Sequence, residues 1–188
     1  MAARPGMTAN ITHLRTLTNA GTADYTLGTA TYWDDDQMQS VLDRNRVDFY
    51  REPFQKIQQY DGGTVVYKVY QSEFRFIESG TNFELENAAG ETIGTALYTL
   101  DAERGKVTFA SDTGGSTYYM TGRSYNMDGA AAEVWRAKAA NVSAYYDFST
   151  DNHKMNRSQV RQSFLDMADY YDAQNGIQTV TMFRGDDA

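Results

Sequence analysis

The sequence predicts an α+β fold: a small helical core of one N-terminal and two C-terminal helices, an inserted antiparallel β module, and extended termini. Three observations carry that expectation. Apolar residues recur at helical spacing over 35–49, 129–146 and 157–173. Between 54 and 125 the period changes to two. Within that stretch, glycine-bearing reversals fall at short intervals, as they do between short antiparallel strands. The organisation that follows is an arm over 1–31, one domain over 32–176 and a tail over 177–188. An amphipathic helix cannot bury its stripe alone, so the helix at 35–49 is expected to pack on the two late ones.

Residues 1–31 are rich in Thr, Ala, Gly and Asn, with isolated Ile11, Leu14 and Leu17, and read as an arm or extended lead-in. The first strong helix signal is Trp33-Asp34-Asp35-Asp36-Gln37-Met38. Asp34 is a favoured N-cap, and Gln37 stands three residues later, the spacing of a capping box. Trp33 and Met38 bracket the cap as a hydrophobic staple does. Asp35 and Asp36 meet the positive end of the helix dipole, with Arg44 and Arg46 towards the negative end. Met38, Leu42, Asn45 and Phe49 keep the helical period, Val41 widens the stripe, and Pro53 closes the segment.

In the β module, Val65, Tyr67 and Val69 alternate with Val66, Lys68 and Tyr70. Further alternating sets are Phe74 and Phe76, Phe83 and Leu85, Ala96, Tyr98 and Leu100, Val107 and Phe109, and Tyr118 and Met120. Asp61-Gly62-Gly63, Ser79-Gly80, residues 87–90, Glu103-Arg104-Gly105 and Thr113-Gly114-Gly115 supply the reversals. An antiparallel sheet, a small sandwich or a barrel fits this pattern. The helical period returns at Ala131, Trp135, Ala139, Val142 and Tyr146. Residues 147–154 read as a polar loop. Asn156 then caps a last helix, with Gln159 three residues on and Met155 with Val160 as its staple. Val160, Phe164, Met167 and Tyr171 form its apolar face, and Gly176 marks its end. Residues 177–184 read as a weak strand of the kind that adds to a sheet edge on another chain. Trp33, Leu42, Trp135, Val142, Phe164 and Met167 are the candidate core.

Composition excludes several function classes. With 188 residues the chain is long enough for one domain with a real core. Having no Cys, it has no disulfide framework, thiolate zinc site or cysteine nucleophile. A formal charge of −8 opposes sequence-independent nucleic-acid clamping, which needs positive surface to displace counterions. No apolar run approaches the ~20 residues of a membrane span, and no apolar signal-peptide region opens the chain. Synthesis in a cytosol is the expectation.

No enzyme motif emerges. His13 and His153 lack the paired helical spacing of a zinc protease, and no Ser stands in a Gly-x-Ser-x-Gly elbow. Asp34, Asp35 and Asp36 point in different directions along a helix, so capping accounts for them better than a shared cation does. Asp147, Asp151 and Asn152 lack the spacing and central Gly of a calcium loop. Thr113-Gly114-Gly115-Ser116-Thr117 precedes a β pattern rather than a helix, which removes the phosphate-loop context and leaves a hairpin turn. No residue is assigned to catalysis, to a cofactor or to a metal.

Three strings carry a resemblance. They are Tyr32-Trp33-Asp34-Asp35-Asp36-Gln37-Met38-Gln39-Ser40-Val41-Leu42-Asp43, then Ala130-Ala131-Ala132-Glu133-Val134-Trp135-Arg136-Ala137-Lys138-Ala139-Ala140, and Tyr146-Asp147-Phe148-Ser149-Thr150-Asp151 leading to Arg157-Ser158-Gln159 and Phe164-Leu165-Asp166-Met167-Ala168. In order and content they resemble the head–tail connector (adaptor) proteins of tailed bacteriophages over roughly residues 32–175. The long β block departs from the smaller all-helical connectors. The resemblance implies a non-enzymatic virion protein of the neck, forming a homo-oligomeric ring, twelvefold by analogy. It would dock on the portal protein and on other neck or tail proteins, with DNA passing through and no membrane involved. Tail terminators and other neck proteins stand beside the adaptor as readings. Two readings of other classes are a β module binding carbohydrate or another ligand through Tyr67, Tyr70, Tyr118 and Tyr119, and a hydrolase with an unrecognised carboxylate pair.

Overall fold

The computed structural model describes residues 3–143, 148–150, 153–155 and 157–175. The fold is α+β, with four helices and antiparallel sheets. The chain divides into two compact units, Met1–Ala130 and Ala131–Ala188.

The first unit opens with a helix where an extended arm was expected. Helix α1 (Thr8–Thr18) buries Asn10, Ile11, Leu14 and Thr18, and Met7 just before it is also buried. Positions 7, 11, 14 and 18 are spaced four, three and four apart, which is a helical stripe. Two of the buried residues, Thr18 in the stripe and Asn10 beside it, are polar, and their polarity is met internally: Thr18 Oγ1 donates to Leu14 O at 2.7 Å, and Asn10 Nδ2 to Phe76 O at 3.2 Å. A short hairpin, β1 (Tyr25–Leu27) and β2 (Ala30–Tyr32), follows.

Helix α2 (Asp35–Arg44) begins as expected. Asp34 Oδ1 accepts from Gln37 N at 2.7 Å, and Gln37 Oε1 accepts from Asp34 N at 2.9 Å, completing the capping box. Its end is earlier than expected. Residues 46–49 leave the helix and enter strand β3 (Arg46–Pro53), so Phe49 belongs to a sheet rather than to the helical stripe. Met38, Val41 and Leu42 are buried, and α2 packs on α1. Arg15 ties the two helices: its guanidinium donates to Ala20 O, Gly21 O and Trp33 O and pairs with Asp35 at 2.7 Å.

The β module is a small sandwich. One sheet has the order β3-β9-β6, from β9 (Tyr118–Tyr125) and β6 (Glu84–Asn87). The other runs β4-β5-β8-β7, from β4 (Gln55–Asp61), β5 (Thr64–Gln71), β8 (Lys106–Phe109) and β7 (Tyr98–Asp101). Phe49, Leu85 and Met120 of the first sheet share a core with Tyr70, Val107 and Phe109 of the second, completed by Phe54, Ile77 and Phe83. Phe109 and Tyr118, one from each sheet, lie 4.6 Å apart between ring centroids. Phe74 and Phe76 lie in the 72–83 connection rather than in a strand. The 110–117 segment also differs from expectation: it carries the chain from β8 in one sheet to β9 in the other, and is therefore a crossover and not a hairpin turn. At Gly105, φ is +64°, and a Cβ there would collide with Phe74 O, so this reversal requires glycine.

Helix α3 (Met127–Ser143) is capped by Asn126, whose Oδ1 accepts from Gly129 N at 3.0 Å. In the second unit, Trp135 and Ala139 are buried and Val142 is half-buried. The expected polar loop instead contains a hairpin of β10 (Phe148–Thr150) and β11 (His153–Met155). Helix α4 (Arg157–Asn175) places Phe164 5.3 Å from Trp135 between ring centroids. Arg136 and Asp172 form a second tie between α3 and α4. Phe164, Met167 and Tyr171 are half-buried, Ala168 is fully buried, and Val160 is exposed. Tyr146, Asp147, Asp151, Asn152, Asn156, Gly176 and residues 177–188 lie outside the described residues. Among the described residues, no helix is long and apolar enough to cross a membrane.

Candidate functional site

Of the residues singled out for chemistry, Asp34, Asp35 and His13 have structural work in the fold. Asp34 caps α2, and Asp35 pairs with Arg15. His13 is half-buried with its ring 4.7 Å from that of Phe76. Among the described residues, no group of three His, Asp or Glu is placed to hold a metal ion. The four tyrosines of the ligand-binding reading are also dispersed in role. Tyr70 is buried, and its hydroxyl meets Thr113 Oγ1 at 2.5 Å and donates to Ser116 O at 2.9 Å. Tyr118 packs edge-on to it at 5.2 Å. Tyr67 lies under Lys56 and Tyr119 under Arg51, at 5.5 and 5.1 Å.

One buried charge was not read from the sequence. Glu78, in the 72–83 connection, is fully buried and met by four side chains from three segments of the chain: the N-terminal residues, its own connection and β9. Arg4 Nε donates to it at 3.2 Å and Asn82 Nδ2 at 2.7 Å, while Tyr125 of β9 donates its hydroxyl to Oε2. Arg123 lies 3.8 Å away, and Arg4 also grips Asp43 of α2 at 2.6 and 2.7 Å. Burial pushes the Glu78 carboxyl up, but the hydrogen bonds from Arg4, Tyr125 and Asn82 outweigh it, and its pKa lies below the ordinary value. Burial and then the bond to Glu78 push the Tyr125 hydroxyl up. Both carboxylate oxygens of Glu78 are taken up by protein groups, so the cluster fastens the N-terminal residues to α2 and the sandwich.

The surface is more informative. β3 and β4 are consecutive in the chain, joined through Phe54, and each is the outer strand of its sheet. They carry a concentration of exposed apolar side chains: Tyr50 is 76% exposed and Tyr60 73%, with Val47, Ile57 and, at the start of β5, Val65 also open. Beside Tyr50 is an open groove of about 410 Å³ lined by Asp48, Asn82, Thr121 and Arg123. Its floor is Gly122, where a Cβ would crowd Asn82 O at 3.0 Å and the Phe49 ring at 3.1 Å. Further open apolar residues are Leu27 at the β1–β2 hairpin and Leu97 before β7. Isolated exposed apolar residues are normal on a protein surface; several on two consecutive outer strands make this the candidate surface. The sequence pattern did not single out these two strands: 46–49 was read as the end of a helix and no alternating set fell within 55–61, and only the sheet order reveals that both are outermost.

The chain matches no family model, no curated protein and no solved structure.

Proposed function

We propose that this protein is a structural, non-enzymatic adaptor of a tailed-phage neck, assembling with copies of itself into a ring between portal and tail. The observation that carries the reading is the exposed apolar and aromatic surface of β3 and β4, which assembly would remove from water. The strings of α2, α3 and α4 that resemble head–tail connectors supply the assignment to a neck. An acidic ring would let DNA pass without gripping its phosphates. The ligand-binding alternative is weakened by the burial of Tyr70 and the packing of Tyr118 upon it.

The test is electron microscopy of the purified chain mixed with portal, together with protein composition of purified virions. Rings seated on the portal and a stoichiometric place in the particle are the expected results. A chain that ignores the portal and is missing from virions would refute the reading.

A further inference from the structure

Strand β4 closes one side of the four-stranded sheet. Its seven residues pair with β5, and among the described residues no strand lies along its other edge. All of β4 is exposed except Gln59, which is half-buried. Soluble proteins commonly guard such an edge with a lysine pointing outward. Here the only lysine of the strand is turned back onto its own sheet: Lys56 Nζ sits 5.5 Å over the Tyr67 ring and donates to Gly115 O at 3.1 Å. What the edge presents instead is Ile57 and Tyr60, with an irregularity in pairing between Ile57 and Gln59. An edge left in this state is a template for one more strand.

The sequence contains a segment suited to it. Residues 177–184, Ile-Gln-Thr-Val-Thr-Met-Phe-Arg, are rich in β-branched and aromatic residues, lack Pro and Gly, and carry a single charge. Their length of eight matches the seven residues of β4. We infer that residues 177–184 of one copy add to the outer edge of β4 on a neighbouring copy, linking successive subunits through main-chain hydrogen bonds. This inference rests on the homo-oligomeric reading above. Main-chain pairing sets the contact, and Ile57 and Tyr60 give the arriving strand apolar neighbours.

Because the chain has no cysteine, the contact is testable by single-cysteine crosslinking in the full-length protein. Gln58→Cys chains are mixed with Val180→Cys chains, and in parallel with Thr179→Cys or Thr181→Cys chains to cover the register. After oxidation, the expected product is a disulfide-linked heterodimer between position 58 and one of 179–181. A variant truncated after Asn175 should lose at least tenfold in association by mass photometry while keeping its circular dichroism. The double substitution Ile57→Lys/Tyr60→Lys should do the same. Crosslinking only between two copies of Gln58→Cys would mean that β4 edges pair with each other, and would overturn the inference. So would an intrachain disulfide in the Gln58→Cys/Val180→Cys double variant. Oligomers that persist unchanged after truncation would overturn strand addition and leave the adaptor reading standing. A chain that stays monomeric, alone and with portal, and yields no crosslink would overturn both.

Discussion

Glu78 shows how a single side chain can hold distant parts of the chain together. Its partner Arg4 lies 74 residues away, and Arg4 reaches 39 residues to Asp43 and 121 to Tyr125. Removing one member of a buried pair costs about 3–5 kcal/mol. Arg4 is partly solvated and Arg123 remains near, so about 2 kcal/mol is expected for Arg4→Met, measured by urea unfolding at neutral pH. The pH dependence follows from the shifts. The Glu78 pKa is depressed in the folded state, so its contribution is present above the ordinary glutamate value and is lost as pH falls through the depressed one. The Tyr125 pKa is raised, so its contribution is present below the ordinary tyrosine value of about 10 and lost as pH rises beyond it. Glu78→Gln should therefore cost most near neutrality, with the difference from wild type shrinking below about pH 4. Parallel unfolding curves for the two proteins across the acid range would show that the Glu78 charge contributes nothing. None of these contacts was legible in the sequence, because no local spacing announces a partner tens of residues away.

At the scale of elements, legibility depended on whether the determining chemistry was local. The start of α2 was legible because a capping box is complete within four residues. Asp34→Ala should cost about 1 kcal/mol, whereas Asp34→Ser, which keeps an acceptor, should cost less than half of that. The end of α2 was not legible. Leu42, Asn45 and Phe49 continue a helical spacing, yet Val47 and Phe49 also fit a strand, and the choice is made by pairing of Arg46 with Tyr125 and Phe49 with Gly122. A partner strand over 70 residues downstream decides it. The helix α1 was missed for a different reason: Asn10 and Thr18 occupy buried positions that a hydrophobic pattern expects to be apolar. Thr18 satisfies its hydroxyl within the helix, on Leu14 O, but the Asn10 amide finds its partner 66 residues away, on Phe76 O, and so only in the finished fold. If α1 is a packed helix, Leu14→Ala should destabilise by about 2–5 kcal/mol, the range for a fully buried leucine. A frayed arm would tolerate it within about 0.5 kcal/mol. Thermal and urea unfolding of the three variants ranks Leu14→Ala as the most damaging.

For the whole molecule, assembly must reconcile exposed apolar strands with a net charge of −8 on every copy. The two terms respond oppositely to salt. Repulsion between copies is long-ranged and screened, with a Debye length falling from about 30 Å at 0.01 M to about 8 Å at 0.15 M. Burial of Tyr50, Tyr60 and Ile57 is short-ranged and is strengthened by excluded salts such as sulfate. If these side chains drive self-association, mass photometry should find larger species as ionic strength rises, and sulfate should outperform chloride at equal ionic strength. Association built on ion pairs would weaken over the same range. Tyr60→Ser with Ile57→Ser separates contact from fold: both side chains are exposed in the single chain, so the unfolding free energy should move by no more than about 0.5 kcal/mol per site. The salt-promoted oligomers should nevertheless disappear. Salt-promoted association that survives this double substitution would place the contact on another face, and the charge on the protein would then be opposing a surface other than β4.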